Sequence, residues 1–209
     1  TDPTIAQRSF PVAALWLDEA TDVGATADAP RTISRIEWVQ QTVDTWIGLA
    51  EPVAESIANA LTDALSSQLP EQLSGALGGL APMLRSVGGA LFASQLGQVI
   101  GKLSSEVAAG GDVGIPLFEG QGREGGVLIP SGVDAFAEGL DQNLEAVTLY
   151  LAVRELAHAR LFRHTRWLRL HLVSAITDYA RGMSIDTMRI EELARDIDPS
   201  NTEAMQQLV

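Results

Sequence analysis

The chain has 209 residues, of which 46% are hydrophobic and 20% charged, a composition that predicts a folded globular protein with a sizeable core. Its formal net charge of -13 comes from 27 acidic and 14 basic residues, and this negative field excludes nucleic acids and anionic membrane surfaces as expected partners. Because there is no cysteine, disulfides and thiolate metal ligands are excluded, and a reducing, cytoplasmic compartment is expected.

No targeting or membrane segment is predicted. The chain starts at Thr1 without a methionine, as a fragment of a longer protein would, and no basic segment precedes an apolar run, so we expect no secretory signal. The most apolar stretch, residues 86–100, is interrupted by Ser94, Gln95 and Gln98. It is shorter than the roughly 20 apolar residues of a membrane span.

Two helices are predicted early in the chain. Apolar residues recur at helical spacing over residues 36–47, and Ser34 is placed to cap the start. Pro52 suits the first turn of a second helix, whose apolar stripe stops before Pro70. We therefore expect the two helices to form a hairpin.

The middle of the chain is rich in glycine. Gly89, Ala93, Gly97 and Gly101 are spaced four apart, which predicts a bare helix face for close packing rather than a ligand site. Residues 110–126 have the composition of a loop, and the apolar run 127–129 predicts a short strand, with a second one possible nearby. Since no Lys-Ser/Thr pair accompanies these glycines, nucleotide binding is not expected.

The last third of the chain predicts more helices. Ser131 is placed to cap a short helix that ends at residue 136, and Asn143 is placed to cap a long helix. The long helix is apolar nearly all round, so we expect it to be buried. Another helix should run from Trp167 to Gly182, followed by short ones at 188–195 and 202–208. We thus predict a mainly α fold with one or two short strands in a single domain, 1–209. Its sub-regions are a helical half at 1–110, a glycine-rich segment at 111–130 and a second helical half at 131–209.

The concentrated chemistry lies at Arg154-Glu155-Leu156-Ala157-His158. In zinc peptidases, His-Glu-x-x-His puts two imidazoles one helical turn apart, with the glutamate as general base. Here an arginine, which cannot ligate a cation, stands in the first histidine position. His164 follows at the spacing of a third ligand, but on a continuous helix it lies roughly 120° from His158 and shares a face with His171 instead.

The chain resembles the zincin-like hydrolase family of actinobacteria, often described as zinc-dependent metalloproteases and related to proteins linked with deazaflavin-coenzyme biosynthesis. The resemblance spans most of the chain. It is carried by residues 149–162 (LYLAVRELAHARLF), 167–169 (WLR), 179–182 (YARG) and 197–200 (IDPS), and by 94–98 (SQLGQ) and 114–117 (GIPL). It implies a largely helical fold with a zincin-type active-site helix, a first motif position that is often not histidine, and no settled substrate.

The resemblance also implies site roles. Glu155 corresponds to the general base and His158 to the second metal ligand, with Asp178 as the carboxylate third ligand and His164 as a further candidate. The implied cofactor is zinc. Arg154 disfavours it, because the metal loses one ligand and faces a fixed positive charge.

A structural role for the motif is favoured over a working metal site. In this interpretation His158 is a core histidine, and Arg154 pairs with Asp178 or another carboxylate in an ion network that includes Glu155. Two functions follow. One is a zincin-like hydrolase with a degenerate motif and impaired or no zinc binding, and the other is a non-catalytic scaffold or protein-interaction domain with a protein or peptide partner. A di-iron bundle is excluded, because its Glu-x-x-His motif occurs only once.

Overall fold

The computed structural model describes residues 3–68, 74–118 and 124–182, and the side chains of 4–59, 86, 88–118 and 124–179. This part of the chain is mostly helical. The helices are α1 (Pro3–Ala20), α2 (Arg35–Gln68), α3 (Ser74–Glu106), α4 (Pro130–Ala137), α5 (Leu144–His164) and α6 (Arg166–Gly182), and the strands are β1 (Arg31–Thr32) and β2 (Val127–Leu128). The mainly α fold with short strands is confirmed. The helices expected at 188–195 and 202–208 lie outside the described residues.

The chain divides into two compact units. Thr1–Ala50 and Ala93–Thr177 form the first unit, and Glu51–Phe92 and Asp178–Val209 form the second. The described part of the second unit is helical and comes from α2, α3 and the end of α6. The first unit contains both apolar cores and the motif helix. The expectation of a single domain stays a prediction.

Helix α5 is buried against α1 in the first core. Apolar residues of α1 recur at spacings of four and three, so that they form one face, and this face meets the apolar residues of α5. The members from these two helices are Ala6, Phe10, Ala13, Leu17, Val147, Leu151, Ala152 and Leu156. The burial expected for the motif helix is thereby confirmed for this face, whereas Tyr150 and Leu161 of the same helix are exposed.

The second core surrounds the two strands. β1 and β2 are parallel, with Arg31 opposite Val127 and Thr32 opposite Leu128, and Ala109 forms an antiparallel bridge to Leu128. Trp38 of α2 and Leu117 are fully buried beside Val127. The strand at 127–128 was predicted. Its partner β1 was not, since a two-residue strand has no periodicity that a sequence can reveal.

The capping predictions have mixed outcomes. Ser34 and Glu37 cap α2 reciprocally: Oγ of Ser34 accepts the Glu37 N–H and the Glu37 carboxylate accepts the Ser34 N–H. Asn143 caps α5 as predicted, by accepting the Glu145 N–H. The cap at Ser131 was wrong, because α4 begins one residue earlier, with Pro130 in the first turn and no side-chain cap.

Two packing predictions were wrong. The predicted helical hairpin is one helix, since α2 continues through Pro52 to Gln68. The stripe of Gly89, Gly97 and Gly101 is exposed, and a methyl group added at any of them would meet no described atom within 4 Å. Within the described residues, this stripe is therefore not a place of close helix packing.

None of the described helices combines the length and the apolar character that crossing a membrane requires.

Candidate functional site

Glu155 is the buried centre of the motif helix. Its side chain is only 4% exposed, because α5 faces the strands and the turn after α3 at this point. One carboxylate oxygen accepts the N–H of Gly111 at 2.8 Å, and the other accepts the N–H of Val127 at 2.9 Å. Burial raises the pKa of the Glu155 carboxyl, although the two backbone bonds act in the opposite direction. This carboxylate thus holds α5 to two other segments.

Arg154, one residue earlier, is paired with Asp112. Oδ1 of Asp112 contacts the guanidinium, while Oδ2 accepts the N–H groups of Ala108 at 2.6 Å and Ala109 at 2.9 Å. The Arg154 side chain is 42% exposed and that of Asp112 only 17%. The prediction that Arg154 pairs with a carboxylate is confirmed, and Asp112 is that carboxylate.

Gly110 and Gly111 allow the turn after α3 to lie directly on the motif helix. A Cβ atom at Gly110 would lie 2.9 Å from a Glu155 carboxylate oxygen and 2.8 Å from the Phe118 ring. At Gly111 it would lie 2.6 Å from Nδ1 of His158. All three distances are shorter than a real Cβ tolerates, so only glycine fits at these two positions without rearrangement.

His158 lies one turn after Arg154 and is partly buried. Its ring contacts Phe162, with 4.7 Å between ring centroids. Burial, and secondarily the Arg154 charge, lower the pKa of His158, which favours the neutral imidazole. Its Nε2 atom is buried and has no hydrogen-bond partner among the described residues. The imidazole therefore has an unused polar atom.

Glu155 and His158 line a cleft of about 430 Å³. The apolar part of the lining comprises Pro116, Leu117, Phe118, Phe162 and Leu170. The Leu117 carbonyl accepts the Thr45 hydroxyl, which ties this segment to α2. The polar lining comprises Glu124, Arg163, Arg166 and Arg169 in addition to the two motif residues. The volume is within the range of small-molecule pockets, about 300 to 1,000 Å³.

The remaining predicted ligands lie in different surroundings. His164 is the last residue of α5, and its Nε2 contacts the Gly24 carbonyl at 3.0 Å. Since the backbone leaves helical geometry at Thr165, His164 and His171 belong to separate helices. Asp178 is an exposed residue of α6. In the described ranges, no group of three or more histidine and carboxylate side chains is placed to hold a metal ion. The roles of Glu155, His158, His164 and Asp178 in catalysis or metal binding stay predictions.

A model of the zincin-like metallopeptidase family matches residues 3–209. The chain belongs to the zincin-like metallopeptidase family. No curated protein and no solved structure matches it. The match covers both compact units, so the family assignment applies to nearly the whole chain.

In this zincin-like protein, sequence reasoning missed Asp112 and the arginines of the cleft. Asp112 is 42 positions before Arg154, and nothing local connects the two. The arginines had a visible signal, since Arg163, Arg166 and Arg169 are spaced three apart across the junction of α5 and α6. The Gly110-Gly111 pair before an aspartate was a further signal of close backbone approach.

Proposed function

We propose that this chain is a zincin-like hydrolase whose motif, Arg154-Glu155-x-x-His158, is degenerate and holds no catalytic zinc ion. The observation that supports the proposal is the ion pair between Arg154 and Asp112, because the residue at the first ligand position of the motif is a guanidinium that a carboxylate already holds. Arginine does not lose its proton in proteins and cannot become a ligand.

The cleft residues do not fit a catalytic zinc ion, which takes three protein ligands. Nε2 of His158 would suit one of them, since it is buried without a partner among the described residues. The two carboxylates of the described lining are already engaged. Glu124 pairs with Arg163 at 3.2 Å, and each oxygen of Glu155 accepts a backbone N–H. Among the described residues of the lining, a single available imidazole is too small a ligand set.

Electrostatics supports the same proposal. The Arg154 charge contributes to the lowered pKa of His158, so its field reaches the imidazole. A field that opposes a proton on His158 also opposes a divalent cation there, and more strongly, because the charge is twice as large.

The chemistry that remains is centred on His158. Its neutral imidazole can accept a proton from a water molecule or a substrate in the cleft, as a general base does. Glu155 acts differently from the general base of the intact motif: both of its oxygens orient backbone, so it positions α5 and the turn that carries Gly111. We assign Glu155 as a positioning residue.

The engagement of Glu155 favours a second candidate, a non-catalytic binding domain. A carboxylate held by two backbone N–H groups at 4% exposure has the environment of a structural group. Cysteine-free composition and strong negative charge support, for either candidate, a cytoplasmic protein that binds neither nucleic acid nor membranes.

Metal analysis tests the proposal. Protein purified without chelator should contain far less than one zinc ion per chain, and added zinc should not raise the thermal midpoint. The proposal is overturned if the protein holds about one zinc ion per chain and loses it in His158→Ala but not in His171→Ala. His171 is a suitable control, because it is an exposed histidine of α6.

Hydrolysis of a peptide and ester library separates the two candidates. The hydrolase requires turnover that withstands chelator, disappears in His158→Ala and survives in His171→Ala. Absence of turnover in the wild-type protein rejects the hydrolase and leaves the binding domain.

A further inference from the structure

The cleft concentrates positive charge in a strongly acidic protein. The chain has only 14 basic residues against 27 acidic ones, yet Arg163, Arg166 and Arg169 all line this one cleft. They come from the last turn of α5 and the first turn of α6. A spacing of three residues across the bend at Thr165 brings all three to the same lining.

The carboxylates of the described lining are engaged elsewhere and form no ion pair with Arg166. Glu124 neutralises Arg163, with 3.2 Å between Nη1 and Oε2. Both oxygens of Glu155 accept backbone N–H groups, from Gly111 and from Val127. Arg166 is exposed and forms no ion pair with any described residue. Among the described residues of the lining, Arg166 is therefore a cation that no carboxylate pairs.

The placement of Arg166 and Arg169 works against the stability of α6. The first turn of a helix has a positive partial charge from its unpaired N–H groups, and acidic side chains are favoured there. The first turn of α6 contains two arginines and no acidic residue. Arg163 has the opposite, favourable placement at the end of α5. Residues that are unfavourable for the local helix in this way commonly occur at functional sites, where they bind a ligand.

The apolar part of the lining is suited to an apolar group. The rings of Phe118 and Phe162 and the side chain of Leu170 line the same cleft as the arginines. The volume of about 430 Å³ admits a small organic molecule. The lining thus offers an apolar surface and a cationic one at a distance that one small molecule can span.

We propose that the cleft binds a small amphiphilic anion, with its oxyanion group, a carboxylate or a phosphate, at Arg166 and its apolar body against Phe118 and Phe162. A guanidinium binds both oxyanions through paired N–H groups. The oxyanion also counters the positive end of α6. The proposal depends on the cleft and not on whether the protein holds zinc, so its test is a binding measurement that uses no metal and no turnover.

Binding of three probes by calorimetry tests the proposal: N-acetylphenylalanine, its uncharged amide, and phenyl phosphate. We expect saturable binding of at least one anionic probe, weaker at higher salt, and at least about tenfold weaker binding of the amide, because a charge-assisted contact is lost. Whichever anion binds more tightly identifies the carboxylate or the phosphate as the preferred group.

Charge variants locate the site. Arg166→Gln should weaken binding of the anionic probe by about tenfold, and Arg166→Glu should abolish it. The matched control is Arg8→Gln, which removes an exposed arginine outside the cleft and should leave the affinity unchanged. Since Arg166 is exposed, both variants at this position are expected to fold, and a thermal melt checks this.

Three results would overturn the proposal. One is equal affinity for N-acetylphenylalanine and its amide, which would show that charge is not recognised. Another is absence of saturable binding for both anionic probes at millimolar concentration. The third is an equal loss of affinity in Arg166→Gln and Arg8→Gln, which would show that only the overall charge matters.

Discussion

Arg154 and Asp112 join the motif helix to the turn that follows α3. The aspartate uses both oxygens: Oδ1 pairs with the guanidinium, and Oδ2 accepts the N–H groups of Ala108 and Ala109. The same turn places Gly111 against His158 and Glu155. The ion pair is therefore one of two attachments between this turn and α5, and the other is the hydrogen bond from Gly111 to Glu155.

Asp112→Asn should destabilise the protein by about 1 to 3 kcal/mol, because an amide weakens the contact to Arg154 and offers only one acceptor oxygen to a site that uses two. Urea unfolding measures the change. The exposed pair of Arg8 and Glu145 provides the comparison, with side chains 68% and 61% exposed. Arg8→Gln should change stability by less than about 1 kcal/mol. Equal effects of the two substitutions would contradict a structural role for Asp112.

Glu155→Gln should cost about 1 to 3 kcal/mol of stability. A glutamine amide has one acceptor oxygen, so its NH2 group would face a backbone N–H of either Gly111 or Val127 and leave that donor unpaired. Glu145→Gln, an exposed change on the same helix, should cost less than about 1 kcal/mol. A Glu155→Gln protein as stable as the wild type would show that the two hydrogen bonds contribute nothing net.

The pH dependence of the same variant has a defined sign. Burial raises the pKa of Glu155, so between the ordinary carboxyl range and the raised value the folded state binds more protons than the unfolded state. The stability from this group is complete at acidic pH and is lost as pH rises through the raised pKa. The stability difference between wild type and Glu155→Gln should therefore narrow toward neutral pH. Urea unfolding over this range measures it, and a difference that widens would contradict the assignment.

Several elements of the fold were predictable because their signals are local. The start of α2 was visible in a hydroxyl residue followed by helical periodicity, and α5 in Asn143 followed by an apolar run. The boundary at Pro52 was not, because a proline that suits a first turn also fits within a long helix when the flanking residues stay helical. The predicted packing of Gly97 failed because spacing alone cannot say whether a neighbour exists.

The candidate site was predictable only in part. The motif residues are consecutive and could be identified by their spacing, and the exchange of a ligand for Arg154 already implied a carboxylate partner. The identity of Asp112 and the backbone partners of Glu155 depend on how the turn after α3 meets α5, a long-range contact with no periodic signal. Likewise, the presence of Arg163 and Arg166 in the same cleft as Glu155 depends on where α6 continues after α5 ends at Thr165.

The imidazole of His158 should titrate below the ordinary histidine range, because burial and the Arg154 charge both disfavour its protonated form. Arg154→Gln should raise the pKa of His158 only part of the way, since burial is the larger cause and remains. Ring-proton NMR measures this, and only three histidines need assignment. Between the ordinary histidine pKa and the lowered pKa of His158, the imidazole is protonated in the unfolded state and neutral in the folded state. The free energy of unfolding should therefore decrease as pH falls through this interval. An unchanged pKa in Arg154→Gln would contradict the electrostatic contribution of the guanidinium.

Gly111→Ala and Gly97→Ala should have opposite effects, although each adds one methyl group. At position 111 the new Cβ would lie 2.6 Å from Nδ1 of His158 and 2.9 Å from a Glu155 oxygen, so the turn, the imidazole or both must move. We expect a loss of about 1 to 3 kcal/mol and displaced His158 ring signals. At position 97, on the exposed face of α3, the methyl meets no described atom within 4 Å. Alanine at position 97 should raise the free energy of unfolding by about 0.5 to 1 kcal/mol, because its helix propensity is higher than that of glycine. Urea unfolding of both variants measures these changes, and NMR measures the His158 ring signals. A Gly111→Ala protein that is as stable as the wild type and has unchanged His158 signals would show that the turn is not in close contact with the motif helix.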